Sequence, residues 1–360
     1  AGDTLASALL ANDQMMVGRS FKYHRPRGLV ASGAEEPNGL VNLGAEGSFE
    51  PNARVTTTEL FEGLTAESQN HWPSLEFDVG AINARLSRFL PAGFYYKMFM
   101  YPRAAWKHVY EPVIRKSAGL GKAPQARDDD TYEHFYAFCD VLVIGGGVAG
   151  LTAARTAARA GAQVLLVEQT EHWGGRAPVD GGSIDDNPVD NFVEETLSEL
   201  KSLDNVQLRT RTMGAGVYDH GYVTCYERLR DHAPDQPGPR HRLWRVRAAH
   251  VITATGAIER PLSFAGNDIP GVMLASAMRD YVVNYGVSTG DRTVVVTNND
   301  NAYLTAISLK HAGLDVPVIL DTRALPQDSE LVAQARALGI RILMGHAISS
   351  VKGSKRVTGL

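Results

Sequence analysis

Cysteine is nearly absent from this sequence of 360 residues, which has two, Cys139 and Cys225. Far apart and outside any CxxC arrangement, they offer neither a disulfide framework nor paired metal ligands. Each reads as a small buried hydrophobe in a protein of a reducing cytosol. No cysteine precedes residue 139, so the first third of the chain has no thiolate for a metal cluster. An excess of one charge is also missing: 36 Lys and Arg against 40 Asp and Glu leave a net −4, which gives no reason to expect nucleic acid. No apolar run reaches the roughly 18 residues of a membrane-spanning helix. The chain starts at Ala with no apolar leader, and the expectation is a cytoplasmic protein without membrane contact. The 11 histidines show no HxH or HxxxH spacing, so no metal site is expected. Nothing resembles a nucleophile elbow or an activated serine, and the catalytic residues are unknown from sequence.

What is present is a 44% apolar chain with the balance of a folded protein of several cores. Residues 1–65 carry the short amphipathic helix "GDTLASALLAND", a basic turn (Arg19, Lys22, His24, Arg25, Arg27) and a Gly-, Pro- and Asn-rich run. The basic turn reads as a solvated or intersubunit face ahead of a phosphate or flavin contact. Residues 66–138 form a connector dense in aromatics (Phe94, Tyr95, Tyr96, Phe99, Tyr101, Trp106, Tyr110), suited to a core or an interface between subunits. Three aspartates, 128–130, end it as a solvated turn. From 139 the pattern alternates strand, glycine turn, helix and strand, which is α/β with a parallel sheet. Residues 139–290 read as a dinucleotide-binding domain, and residues 291–360 as a second, incomplete Rossmann unit. The ending inside that unit leads us to expect a piece of a longer protein.

The run "CDVLVIGGGVAGLTAARTAARAGAQVLLVEQ" carries the clearest chemistry. Gly145, Gly147 and Gly150 fit G-x-G-x-x-G between an apolar strand and a helix. They serve the tight turn, the approach of backbone to a pyrophosphate, and close helix packing. Val148 and Ala149 open the helix, whose N-terminus favours phosphate. Glu168 closes the second strand, with Gln169 after it, where a carboxylate accepts from ribose hydroxyls; this suits NAD and FAD alike and disfavours NADP. Gly174, Gly175 and Arg176 resemble the GG motif that follows the first βαβ unit of flavoproteins with two dinucleotide domains. "HVITATG", with Thr255 and Gly256, resembles their ATG strand, and Asp268, Pro270 and Gly271 continue that pattern. The implied fold is glutathione-reductase-like. In the second unit Asn298, Asn299, Asp300 and Asn301 replace the glycine turn. Asn tolerates left-handed backbone, so the turn can persist, but side chains fill the phosphate space and Asp300 repels phosphate. One dinucleotide site is therefore expected.

Together, "GDTLASALLAND", "VGRSFKYHRPRGLVASGAEEPNGLV" and "PNARVTTTELFEGL" resemble the α-subunit family of heterotetrameric sarcosine oxidases. The resemblance implies a small ferredoxin-like α+β domain at the N-terminus, here expected to lack an iron-sulfur cluster. It also implies NAD in the first Rossmann unit, and an FMN shared with the β subunit, which itself binds FAD and oxidises sarcosine. Two small subunits complete the heterotetramer, and tetrahydrofolate captures formaldehyde in the complex. Two other readings stay open: a subunit of a related amine, opine or proline dehydrogenase complex, or an assembly subunit with structural NAD.

Overall fold

The computed structural model describes residues 2–325 and 329–360, without the side chains of residues 95, 96, 117 and 118. Residues 3–128 and 259–360 form one compact unit and residues 129–258 the other. The division thus falls before residue 139, because the first long strand begins at Tyr132. It falls again at 258, because the helix Ala275–Tyr285 buries Ala277 and Tyr281 among the apolar side chains of the N-terminal segment.

Helix α1 (Leu5–Ala11) opens that segment. Thr4 and Ser7 close its first turn reciprocally, each side chain accepting from the other's backbone N–H. Its inner face sends Ala6 and Leu10 against Leu29, Val41 and Val55. Strands β1 (Leu40–Leu43), β2 (Glu50–Arg54) and β3 (Ala66–Ser68) make an antiparallel sheet with β1 in the middle.

The basic turn is tied down at most of its charged side chains, although Arg25 stays exposed. Arg19 is buried and donates to the carbonyls of His24 (2.8 Å) and Leu75 (2.9 Å). His24 lies 2.6 Å from Asp78, and Arg25 and Arg27 both pair with Asp268. Burial alone would raise the Asp78 carboxyl, but bonds from the Trp72 and Gly80 amides and from His24 hold it below its usual range.

The connector forms short turns of helix at Phe94–Met98, Trp106–Tyr110 and Glu111–Ala118. Phe99 touches Phe94 and Tyr110, yet Trp72 is 70% and Tyr101 87% exposed. The expected Tyr95 and Tyr96 side chains lie outside the described residues.

The second unit is a six-stranded sheet. Its strands are β4 (Tyr132–Ile144), β5 (Val164–Val167), β6 (Val206–Arg209), β7 (Thr212–Tyr218), β8 (Tyr222–Arg228) and β9 (His241–Thr253), in the order β6-β5-β4-β9-β8-β7. The first four of that order are parallel and the last two pairings antiparallel. Helices α2 (Val148–Arg159) and α3 (Val189–Ser202) cover one face, where Val143, Leu151, Ala154 and Leu166 pack. Leu142, Ile144 and Leu165 point the other way, to Cys225 and Trp244. Burial on both faces accounts for the apolar runs at the end of β4 (residues 141–144) and along β5. Burial also pushes the Cys139 thiol up to about 11 and the Cys225 thiol up to about 12. The three aspartates are not a purely solvated turn: Asp130 pairs with Arg230 and Arg240.

The C-terminal part of the first unit runs through α4 (Ala275–Tyr285), β10 (Val295–Thr297), α5 (Asn301–His311), β11 (Val318–Asp321), α6 (Glu330–Ala337) and β12 (Arg341–Met344). Its three strands are parallel in the order β10-β11-β12. This is the second Rossmann frame, with Ile319, Tyr303 and Ala306 in its core.

Candidate dinucleotide site

Three motif glycines follow strand β4, two in the turn and one in the first turn of α2, and each meets a different surrounding. Gly145 has φ +106° and lies against the Ala254 carbonyl, which any Cβ would strike. A Cβ on Gly150 would run into the Gly145 carbonyl oxygen, so the first turn of α2 packs on the strand end as the motif requires. Gly147 differs from both. Its φ of −72° is open to any residue, and a Cβ there would find nothing nearer than the Gly175 Cα at 3.8 Å. Neither packing nor backbone conformation within the chain requires glycine at 147.

Val148 and Ala149 follow at the start of α2, which has no side-chain cap and so presents its positive end to this space. Glu168 lies at the end of β5 and is 7% exposed. Its carboxylate accepts from the Gly146 N–H at 2.7 Å and from the Thr170 N–H and hydroxyl at 2.9 and 3.0 Å. A carboxylate has about four acceptor sites, so roughly one is left for a ribose hydroxyl while Thr170 stays in place. The expected pair of ribose bonds requires Thr170 to give way. Gln169 is exposed, and its carbonyl accepts from Arg228.

Gly174 returns to the turn: its N–H donates to the Gly146 carbonyl at 2.9 Å and it bridges to Gly147. Gly175 lies beside Gly147, while Arg176 turns to Asp180 at 3.0 Å. After β9 the Ala254 N–H donates to Ile144 at 2.8 Å, which sets the exposed Thr255 and Gly256 beyond the glycine turn. All twelve expected residues thus fall in the second unit. Two were missed. Thr170 orients Glu168, and the Trp173 ring lies against Gly146. An aromatic just before a GG pair was the available signal for Trp173; none existed for Thr170. Asp268 and Pro270 fall in the first unit, where Asp268 holds Arg25 and Arg27.

The corresponding turn of the first unit is built otherwise. None of residues 298–301 takes a positive φ, so the expected left-handed turn does not form. Side chains shape it instead: Asn299 accepts from the Asn301 N–H, and its own N–H donates to Thr297. Arg323 then spans the mouth, donating to Asp300 at the start of α5 and to the fully buried Asp321 at the end of β11. Tyr303 donates to Asp321 as well, at 2.8 Å. Arg323 thus ties the turn, through Asp300, to the end of β11, through Asp321.

No group of three metal-ligating side chains occurs among the described residues, and none of their helices is long and apolar enough to cross a membrane.

Comparisons with known proteins agree on a nucleotide-binding oxidoreductase with an α/β fold. A family model described as "FAD dependent oxidoreductase" matches residues 140–234, and one described as "2Fe-2S iron-sulfur cluster binding domain" matches residues 1–71. The chain is, further, a homologue of the sarcosine oxidase alpha subunit: it is 51% identical to that protein of Rhizobium meliloti (strain 1021) over 98% of its own length. It spans 36% of that relative. An opine oxidase subunit of Agrobacterium tumefaciens (strain Ach5) is 30% identical over 52% of the chain and 38% of the relative. Among solved structures, L-proline dehydrogenase from P. horikoshii shares the fold, with a TM-score of 0.56 at 20% identity, over 99% of this chain and 52% of that one.

Proposed function

We propose that this chain is the nucleotide-binding part of the α subunit of a sarcosine oxidase complex. The complex oxidises the N-methyl group of sarcosine, giving glycine and formaldehyde while O2 is reduced to H2O2; tetrahydrofolate captures the formaldehyde. The observation that carries the nucleotide part is the empty approach to Gly147, a cradle that packing within the chain does not explain. The amides at the start of α2 would hold the pyrophosphate, and Glu168, steadied by Gly146 and Thr170, would hold a ribose. The bound NAD or FAD would supply hydride chemistry or serve as a fixed part of the fold. Glu168 suits both nucleotides.

Amine oxidation falls to the β subunit in this reading, with an FMN shared between the two chains. The two small subunits complete the assembly, and the exposed aromatics of the connector are the surface this reading gives to partners. Mixing the full-length chain with its partner subunits should yield peroxide from sarcosine. The chain alone, supplied with FAD, FMN and NAD, should yield none. Peroxide from the lone chain would overturn the division of labour. The likeness to the opine oxidase relative supports a second reading, in which the complex takes an opine; turnover of an opine in place of sarcosine would establish it.

A further inference from the structure

The N-terminal unit matches a family described as binding a [2Fe–2S] cluster, yet its residues do not fit one. Such a cluster takes four Cys thiolates, and residues 1–138 contain no cysteine. What the run after the basic turn does contain is Glu36, 1% exposed. One carboxylate oxygen accepts from the Val30 N–H at 2.7 Å and the Ala31 N–H at 2.8 Å. The other accepts from the Asn38 N–H at 2.7 Å and the Gly39 N–H at 3.2 Å. Four backbone donors converge on one buried negative charge.

We infer that residues 28–39 form an anion-binding nest whose occupant is the chain's own Glu36 carboxylate, in place of an iron-sulfur cluster. Inward-facing amides of this kind stabilise phosphates and the sulfurs of clusters alike. A carboxylate has about four acceptor sites, so Glu36 saturates the nest and leaves no vacancy for an external anion. The surroundings are built to the same end. The Asn38 side chain donates to the Gly28 carbonyl, Arg54 to the Glu36 carbonyl and Thr56 to the Gly33 carbonyl. Tyr281 donates to the Ala31 carbonyl at 3.0 Å; burial, and next the charge of Glu36, push its hydroxyl far up, so it remains a donor. Nothing here depends on which nucleotide the other unit holds.

Small carboxylates are the ligands this site takes once Glu36 is shortened. In the full chain, Glu36→Ala leaves the four amides unpaired and should lower the melting temperature by roughly 5 °C or more. Formate at about 100 mM should restore a large part of that loss, chloride at equal ionic strength should not, and the wild type should respond to neither. Glu36→Gln, which turns an NH2 toward N–H donors, should be destabilised without formate rescue. Should Glu36→Ala fail to fold, hydrogen exchange in the wild type decides: the amides of Val30, Ala31, Asn38 and Gly39 should exchange only with unfolding of the unit. Anaerobic incubation of the wild-type chain with ferrous iron and sulfide should leave it free of bound cluster. Stoichiometric iron and sulfide after gel filtration, loop amides exchanging within seconds, or a Glu36→Ala protein as stable as the wild type would each overturn the inference.

Discussion

Arg323 grips the buried carboxylate of Asp321 with Nε at 3.0 Å and Nη2 at 2.7 Å, closing the mouth of the second Rossmann frame. Replacing it by Met leaves Asp321 with fewer donors in a site that water does not reach. Arg323 is itself about a quarter exposed, so we expect a loss of about 2–3 kcal/mol in urea unfolding, near the low end for breaking a buried pair.

The same contact sets an acid dependence. Burial alone would raise the Asp321 carboxyl, but the bonds from Arg323 and Tyr303 outweigh it, and the folded value lies below the ordinary 3.8; Asp300 is lowered chiefly by Arg323. The folded chain therefore binds fewer protons here than the unfolded chain. The contribution is complete above about pH 4 and is lost as pH falls through the lower folded values. Stability against pH should fall more steeply below pH 4 in the wild type than in Arg323→Met. Parallel curves would contradict it.

The two neighbouring glycines of the cradle should separate folding from binding. Gly150→Ala drives a methyl into the Gly145 carbonyl and should cost roughly 1–3 kcal/mol of stability. Gly147→Ala places its methyl in open space and should stay within about 0.5 kcal/mol of the wild type, while its affinity for dinucleotide falls. Thermal melts with and without added nucleotide distinguish the two.

The glycine spacing was readable because it encodes backbone geometry directly: a turn, an approach and a close packing each need the missing Cβ. The βαβ plan of both Rossmann units was readable for the same kind of reason, since burial on two faces leaves continuous apolar strands. Contacts between polar residues brought together only by the fold were not. Arg323 and Asp300 meet across a loop from separate elements, and Asp130, just before β4, finds Arg230 and Arg240 only because the distant strand β9 pairs beside β4. Glu36 lies in a run whose composition resembles a solvated loop, and only the folded path shows four amides turned toward it. The basic turn looked like a free face because its acceptors, Leu75, Asp78 and Asp268, are remote in sequence.

The connector gives a prediction about assembly. Trp72 and Tyr101 stand in solvent, so Trp72→Ser with Tyr101→Ser should leave the melting of the lone chain within about 0.5 kcal/mol of the wild type. If these rings anchor a partner chain, the same pair should weaken association by about 2 kcal/mol or more, read by titration calorimetry. Unchanged affinity would remove them from the interface.

The central claim is one dinucleotide per chain, held at Gly147 and excluded from the frame that Arg323 closes. Its most direct measurement is the amount and identity of nucleotide released by denaturing the purified full-length α chain freed of its partner subunits, whose own FAD would otherwise be counted, quantified by mass spectrometry per chain. One equivalent of NAD or FAD should be released from the wild type and from Asn299→Val, and none from Gly147→Val. Two equivalents bound to the wild-type α chain, or one retained by Gly147→Val, would contradict it.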